Sequence, residues 1–263
     1  MDLELRGKRA FISGSTRGIG RAIAAELLRE GASVVINGRT DAGVRRAVEE
    51  LAADAPDADV TGYAADFADP ADVARLVGEV GELDILVNNV GVFDVAPFAE
   101  ISDEEWQRYF EVNVMSGVRL SRAALPGMLA RGHGRIIFVA SESGVNVPAD
   151  MTHYGMTKAG MLALGNGLSK LTRGTGVTVN SVLGGPTYSD GVARAIEEIA
   201  RAQGMPAADL RAHIVAGNAT SLLQRFIEPA EIAGMVVYLA GARASATNGA
   251  ALRADGGTLP TVT

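Results

Sequence analysis

Short apolar runs alternate with longer amphipathic stretches along nearly the whole chain. Runs such as AFIS (10–13), SVVIN (33–37) and IIFVA (136–140) carry apolar residues at consecutive positions. This pattern is typical of strands that are buried on both faces. Because a helix separates each pair of runs, the chain is expected to form an α/β fold. Right-handed crossovers then predict a single doubly wound, Rossmann-type parallel sheet with helices on both faces.

The same pattern predicts where the strands and helices lie. We predict strands at 8–13, 33–37, 59–64, 84–88, 135–140, 177–182 and 250–254. We predict helices at 19–30, 41–53, 70–80, 103–129, 152–173, 192–203, 207–215 and 228–240. No repeat or linker interrupts the series, so we expect one domain over residues 1–263.

Residues 186–223 break this rhythm, because they contain two helical segments but no strand. Glycines at 191, 204 and 217 interrupt the segment. A stretch of this kind after the carboxyl end of a strand is a candidate substrate lid. The alternative is a pair of packed surface helices.

Composition excludes several classes of protein. The absence of cysteine removes disulfides, Cys-ligated metals and thiol nucleophiles, and with only three histidines we expect no metal. A net charge of −7 argues against nucleic acid as a partner. The first ten residues, MDLELRGKRA, lack the apolar core of a signal peptide, and no apolar run approaches the ~18 residues of a membrane span. We therefore expect a cytoplasmic protein with no membrane partner.

A glycine-rich loop, SGSTRGIG (13–20), lies between the first predicted strand and the first predicted helix. Glycines allow a tight turn and a close approach of the main chain to a pyrophosphate, while the amides that start the helix point at the anion. The loop therefore predicts a dinucleotide site. A structural turn without a ligand is the alternative.

The Gly-x3-Gly-x-Gly spacing of this loop resembles the short-chain dehydrogenase/reductase family, in particular oxidoreductases like the 3-oxoacyl-carrier-protein reductases. Further motifs follow in the family's order from about residue 6 to residue 258: NNVG (88–91), Asn113, Ser141, Tyr154-x3-Lys158, NSVLGGPTYS (180–189) and DGG (255–257). The chain departs from the family pattern at Val90, where alanine is usual, and at Gly184, where proline is usual.

Tyr154 and Lys158 are four residues apart in a predicted helix, so both side chains lie on one face. A phenol titrates near pH ~10, and a nearby ammonium is expected to lower its pKa. The resemblance implies that Tyr154 is the proton donor and that Ser141 binds the substrate oxygen. It also implies that Asn113 fixes a water that links Lys158 to solvent. His153 points away from Tyr154 on the helix, and we expect it at the rim of the site.

The resemblance also implies which residues bind the cofactor and the substrate. The expected cofactor contacts are Gly14, Ser15, Thr16, Arg17, Gly18, Ile19, Gly20, Gly38, Arg39, Asp66, Phe67, Asn88, Gly91, Tyr154, Lys158, Gly185, Thr187 and Ser189. The expected substrate contacts are Ser141, Ser143, Tyr154 and Tyr188, with Phe93, Val145 and Met151 as further pocket positions.

Gly38 and Arg39 stand where NAD-specific members place an aspartate after the second strand. A carboxylate there would repel a 2′-phosphate, whereas a glycine leaves room and an arginine can form paired charge-assisted bonds. NADP(H) is therefore the expected cofactor, with NAD(H) as the less favoured alternative. Arg17 could supply a second positive charge.

Two functions remain open at this point. The first is an NADP(H)-dependent oxidoreductase that transfers hydride between the nicotinamide and a small carbonyl or alcohol substrate. The second is a sensor or regulator that binds the cofactor without catalysis. A tyrosine paired with a lysine favours the enzyme, because a sensor needs no proton donor. The resemblance implies a homotetramer or a homodimer.

Overall fold

The computed structural model describes residues 2–56, 58–218 and 220–262. Its strands are β1 (Arg9–Ile12), β2 (Ser33–Gly38), β3 (Val60–Ala64), β4 (Ile85–Asn88), β5 (His133–Ser141), β6 (Gly176–Gly184) and β7 (Ala251–Ala254). Its α-helices are α1 (Gly18–Arg29), α2 (Asp41–Asp54), α3 (Pro70–Val80), α4 (Asp103–Tyr109), α5 (Ser116–Arg131), α6 (Thr152–Ser169), α7 (Asp190–Gln203), α8 (Ala207–Gly217) and α9 (Pro229–Ala240).

The seven strands form one parallel sheet in the order β3-β2-β1-β4-β5-β6-β7. Strands β1 to β3 extend the sheet in one direction and β4 to β7 extend it in the other. A crevice therefore opens at the carboxyl ends of β1 and β4, where ligands bind in sheets of this kind. The predicted doubly wound α/β fold is confirmed.

Alternate residues of each strand supply two separate cores, one on each face of the sheet. In β1, Ala10 and Ile12 pack with helices α1, α2 and α9, whereas Phe11 packs with α3, α5 and α6. All three side chains are fully buried. The apolar runs in the sequence arise from this burial on both faces, because a strand with one solvated face would alternate in polarity.

Strands β5 and β6 are longer than predicted and pair with each other along their whole length, from His133 opposite Gly176 to Ser141 opposite Gly184. Ser141 is therefore the last residue of a fully paired strand and lies at the carboxyl edge of the sheet. The pairing of β5 with β6 therefore fixes the position of the Ser141 main chain.

The predicted helix over 103–129 is wrong in one respect, because a π-helical segment, Phe110–Met115, separates α4 from α5. In this segment the Ser116 N–H donates to the Glu111 carbonyl, five residues earlier. Such segments are rare and are often found at functional sites. The segment contains Asn113, one of the predicted site residues.

Residues 186–223 contain α7 and α8, beyond the carboxyl end of β6. The N–H groups of Leu222 and Leu223 donate to the Gly256 carbonyl, which fastens the end of this segment to the turn after β7. Within the described ranges, no helix has both the length and the apolar character needed to cross a bilayer.

Candidate active site

The glycine loop is shaped by three positions that disfavour a side chain, two through their backbone conformation and one through lack of space. Gly14 and Gly18 have φ values of 62° and 58°, in the left-handed region that favours glycine. A Cβ on Gly20 would lie 2.5 Å from the Gly14 carbonyl oxygen and 2.6 Å from Nδ2 of Asn89. The turn from β1 into α1 therefore leaves its main chain uncovered, as a dinucleotide cradle requires.

The start of α1 accepts an anionic oxygen in this structure. The Gly18 N–H donates to the carboxylate of Asp190, the first residue of α7, at 2.9 Å. The same amide and the helix dipole would favour a pyrophosphate oxygen. The loop thus fits a dinucleotide, whose binding here would compete with Asp190.

Three residues expected to touch the cofactor have buried side chains that serve the framework instead. The Ser15 hydroxyl donates to the Ile12 carbonyl at 2.6 Å. The Asn88 amide donates to the Ser121 hydroxyl at 3.3 Å, and Phe67 packs in the core under α3. At Ser15, Asn88 and Phe67, only main-chain atoms could therefore contact a cofactor.

We expected Gly38, at the end of β2, to leave open space for the cofactor, but this space is filled. A Cβ on Gly38 would lie 2.5 Å from the Thr16 methyl carbon, so Thr16 occupies that space. Arg17 and Arg39 are exposed beside this contact, and neither forms an ion pair with a carboxylate among the residues that the structure describes. Both guanidinium groups are thus available to an anion.

The remaining predicted cofactor contacts lie in the loops around the crevice. Exposed Asp66 follows β3 and accepts from the Ala68 N–H at 2.9 Å. The Thr187 hydroxyl donates to the Gly185 carbonyl at 2.8 Å, and the Ser189 side chain caps the start of α7. Ile19 follows Gly18 in the first turn of α1.

Tyr154 and Lys158 lie on α6 beside Ser141 at the end of β5. The Lys158 ammonium is 5.6 Å from the centroid of the Tyr154 ring and donates to the Val139 carbonyl at 2.9 Å. The Ser141 hydroxyl is close enough to Tyr154 to lower the pKa of its phenol. The structure therefore brings the predicted serine, tyrosine and lysine together.

Burial shifts the pKa values of both Tyr154 and Lys158. Loss of hydration raises the pKa of Tyr154 above its ordinary value, and the contact with Ser141 opposes this shift. Burial lowers the pKa of Lys158 to about 8, against the opposing charge of Glu142. Desolvation thus outweighs the lowering of the Tyr154 pKa that we expected from Lys158.

Asn113 uses its side chain to hold the loop after β4. Its Oδ1 accepts from the Val92 N–H at 2.8 Å, and its Nδ2 donates to the Val92 carbonyl and to the Thr157 hydroxyl, both at 3.0 Å. A Cβ on Gly91, in the same loop, would lie 3.4 Å from Asn113 Oδ1 and 3.6 Å from Lys158 Nζ. Both donors of the Asn113 amide are committed, so donation to a water is left to other groups.

Glu142 is a site residue that the sequence reasoning missed. Its carboxylate accepts from the hydroxyls of Ser141 and Ser143, the latter at 3.1 Å. The Ser143 N–H donates in turn to Ser141 Oγ at 3.1 Å. An acidic residue between two serines, directly after a buried strand, was the signal that could have revealed it.

His153 is buried, and the expectation that it lies at the rim is wrong. Its ring centroid is 4.1 Å from that of Tyr109 and 6.0 Å from that of Trp106. Helix geometry predicts that His153 points away from Tyr154, but it does not predict that α4 packs against this side of α6 and buries the ring. His153 therefore fastens the start of α6 next to Tyr154.

The expected substrate contacts are only partly brought together. Phe93 packs edge-on against Tyr154 with 6.2 Å between ring centroids. Ser143 is buried and turned toward Glu142. The guanidinium carbon of Arg211 lies 4.0 Å from the centroid of the Tyr188 ring, under α8.

A cavity of about 640 Å³ lies beneath α8. Its lining residues are Ala208, Arg211, Ala212, Val215, Ala216, Asn218, Gln224, Arg225 and Phe226. No group of His, Asp or Glu side chains suited to a metal ion occurs in the part of the chain that the structure describes.

Comparisons with known proteins show the family of this chain. Residues 8–200 match the family model of the short chain dehydrogenases. The chain is 47% identical to the uncharacterized oxidoreductase YvrD of Bacillus subtilis over 98% of both chains. It is 32% identical to D-beta-hydroxybutyrate dehydrogenase of Cupriavidus necator, over 96% of this chain and 98% of that protein.

Among solved structures, L-sorbose reductase of Gluconobacter frateurii, in complex with NADPH and L-sorbose, superposes with a TM-score of 0.94. The two sequences are 33% identical, and the alignment covers 100% of both chains. Family model, relatives and fold point to one conclusion. The chain belongs to the short-chain dehydrogenase/reductase family and is an oxidoreductase.

Proposed function

We propose that this oxidoreductase uses NADP(H) to interconvert a small carbonyl compound and its alcohol, with Tyr154 as the proton donor. The observation that carries the proposal is that Tyr154 lies close to both Ser141 and Lys158. The NADPH complex of L-sorbose reductase, which superposes over the whole chain, supports the choice of cofactor.

When bound, the nicotinamide supplies the hydride to the carbonyl carbon, or takes it from the alcohol carbon. Tyr154 gives its phenolic proton to the carbonyl oxygen as the alcohol forms. The proton lost from Tyr154 is restored from solvent through the Lys158 ammonium, which also stabilises the phenolate by its charge. Ser141 holds the substrate oxygen next to Tyr154.

Lys158 can carry out this task because its pKa of about 8 lies near physiological pH. A group with such a pKa both gives and takes a proton readily. An arginine could not, since its guanidinium stays protonated. The Asn113 amide assists by fixing Val92 and Thr157 around Lys158.

A sensor that binds the cofactor without catalysis remains the second candidate. The same fold can serve such a role. The buried ammonium of Lys158 argues against it, because placing a charge in the interior costs stability that a cofactor-binding loop alone does not require.

The cofactor preference follows from the end of β2. Arg39 and Arg17, which form no ion pair with a described carboxylate, would bind the 2′-phosphate of NADP(H). Position 38 holds a glycine, so it offers no carboxylate to bind a ribose hydroxyl. We also propose that the chain forms one domain, in which α7 and α8 are a lid over the substrate. We further propose that the enzyme assembles as a homotetramer or homodimer and works in the cytoplasm.

Replacing Tyr154 with Phe should lower kcat by about 10²–10⁴, the usual loss on removing an acid catalyst. The aromatic ring stays, so NADPH should bind as in the wild type. Steady-state reduction of a ketone panel, with NADPH affinity from fluorescence, measures both. Tyr238→Phe, on α9 at the other face of the sheet, is the matched control. Near-normal turnover by Tyr154→Phe would refute the assignment.

Replacing Arg39 with Ala should weaken NADPH binding by about 1.5–3 kcal/mol and leave NADH binding unchanged, because only NADPH carries the phosphate. Arg173→Ala, at an exposed arginine in the turn before β6, should change neither affinity. Isothermal titration of both cofactors gives the dissociation constants.

The reverse change of preference requires two substitutions. Gly38→Asp alone would force its Cβ against the Thr16 methyl group, whereas serine at position 16 lacks that methyl. The double variant Thr16→Ser/Gly38→Asp should therefore favour NADH over NADPH. If the wild type binds NADH as tightly as NADPH, the proposed role of Arg39 is wrong.

The depressed pKa of Lys158 predicts how stability depends on pH. Between about pH 8 and the ordinary lysine pKa of 10.5, the unfolded chain holds a proton that the folded chain has released. The free energy of unfolding should therefore rise with pH, by about 2 kcal/mol between pH 8 and pH 10. Urea unfolding should show this rise for the wild type and for Lys170→Met, which alters an exposed lysine. Lys158→Met should lack it, and an equal slope in all three proteins would contradict the shift.

A further inference from the structure

Glu142 places a carboxylate beside the reacting groups that the proposed mechanism does not use. Its two oxygens accept hydrogen bonds from the hydroxyls of Ser141 and Ser143. Its charge also raises the pKa values of both Tyr154 and Lys158. Through its hydrogen bond from Ser141, the Glu142 carboxylate lies one hydrogen bond away from the group proposed to bind the substrate oxygen.

No cation neutralises this carboxylate. Over residues 2–56, 58–218 and 220–262, no Arg, Lys or His side chain forms an ion pair with Glu142, and Lys158 donates to the Val139 carbonyl instead. A carboxylate has about four lone-pair sites, of which the two serines use two. Half-buried Glu142 thus has room to accept further hydrogen bonds.

The bonds of Glu142 also determine the direction of the Ser141 hydroxyl. The single proton of Ser141 is donated to Glu142, while Ser141 Oγ accepts from the Ser143 N–H. A carbonyl oxygen needs a donor, so Ser141 must turn its proton away from Glu142 to bind it. A substrate hydroxyl that donates to Glu142 would take the place of Ser141 and release that proton to the carbonyl.

We propose that Glu142 determines specificity, selecting uncharged ketones with a hydroxyl on the carbon next to the carbonyl and rejecting substrates with a carboxylate there. The proposal rests on the proposed function of Tyr154. A hydroxyl donates to the free acceptor sites of Glu142, whereas an anionic group meets like charge at a half-buried site. Vicinal diols are the corresponding alcohols.

The proposal predicts that this chain and one of its relatives differ in the charge of their substrates. The substrate named for D-beta-hydroxybutyrate dehydrogenase, a relative at 32% identity, is a carboxylate. L-sorbose, bound in the reductase that superposes on this chain, is an uncharged hydroxyketone. The charge of Glu142 agrees with the second kind of substrate.

The test uses two matched pairs of substrates with NADPH. Acetoin and 2-butanone differ by one hydroxyl next to the carbonyl, and methyl acetoacetate and acetoacetate differ by one charge. The wild type should prefer acetoin and the ester by at least about tenfold in kcat/KM, the effect of one hydrogen bond to a charged group. For acetoin, part of the gain should appear in kcat, because the Ser141 proton is released.

Glu142→Gln keeps the size of the side chain and removes the charge, so both ratios should fall about tenfold toward one. Glu49→Gln, on the exposed face of α2, should keep the wild-type ratios. Ratios near one in the wild type, or ratios that Glu142→Gln leaves unchanged, overturn the role of Glu142 while the proposed function of Tyr154 stands.

A binding measurement keeps the two proposals separate. If no ketone is reduced although NADPH binds, the proposed function fails. The affinities of the same four compounds for the enzyme–NADPH complex, followed by NADPH fluorescence, then decide the role of Glu142 without turnover. Tighter binding of acetoin and the ester that Glu142→Gln abolishes supports it, and equal binding by both proteins overturns it.

Discussion

The amide of Asn113 connects the parts of the molecule on which the site depends. It lies in the π segment between α4 and α5, holds both main-chain groups of Val92 after β4, and donates to Thr157 on α6. Thr157 is next to Lys158, and Gly91 is next to Val92. One side chain therefore sets the distance between the crevice of the sheet and the helix that carries the reacting groups.

The charged groups of the site also lower the stability of the fold. The pKa of Lys158 is lowered to about 8, and half-buried Glu142 forms no ion pair within the described part of the chain. Both groups lose hydration that the fold does not fully replace. Functional sites commonly hold such groups because proton transfer requires them. Much of the stability must then come from the two apolar cores on the faces of the sheet, where Phe11 and Ile12 are fully buried.

The fold could be predicted from the sequence because each strand is apolar on both faces and each helix follows a regular period. The shared face of Tyr154 and Lys158 could be predicted because their spacing is local to one helix, and the resemblance to the family supplied Ser141 and the roles of all three residues. Contacts between different helices, strands and loops could not be predicted from the sequence. The burial of His153 depends on α4, and the Thr16 methyl occupies the space at Gly38 only because the loop after β1 crosses the end of β2.

Glu142 was missed for a different reason. An acidic residue after a strand is usually solvated, and only the hydrogen bonds from Ser141 and Ser143 show that this one turns toward the site. The π segment has no sequence signature beyond an ordinary helical pattern. Ser15, Asn88 and Phe67 follow family motifs, but those motifs do not distinguish a side chain that binds a ligand from one that supports the loop.

The fate of deuterium carried on the reactive carbon of the NADPH nicotinamide tests the proposed chemistry most directly. The wild-type enzyme should convert a hydroxyketone into an alcohol with one deuterium on the former carbonyl carbon, while the proton on oxygen comes from solvent through Tyr154. Mass spectrometry of the product gives the position of the label. Cofactor that binds tightly but transfers no deuterium to carbon would contradict the proposed hydride transfer and favour a sensor.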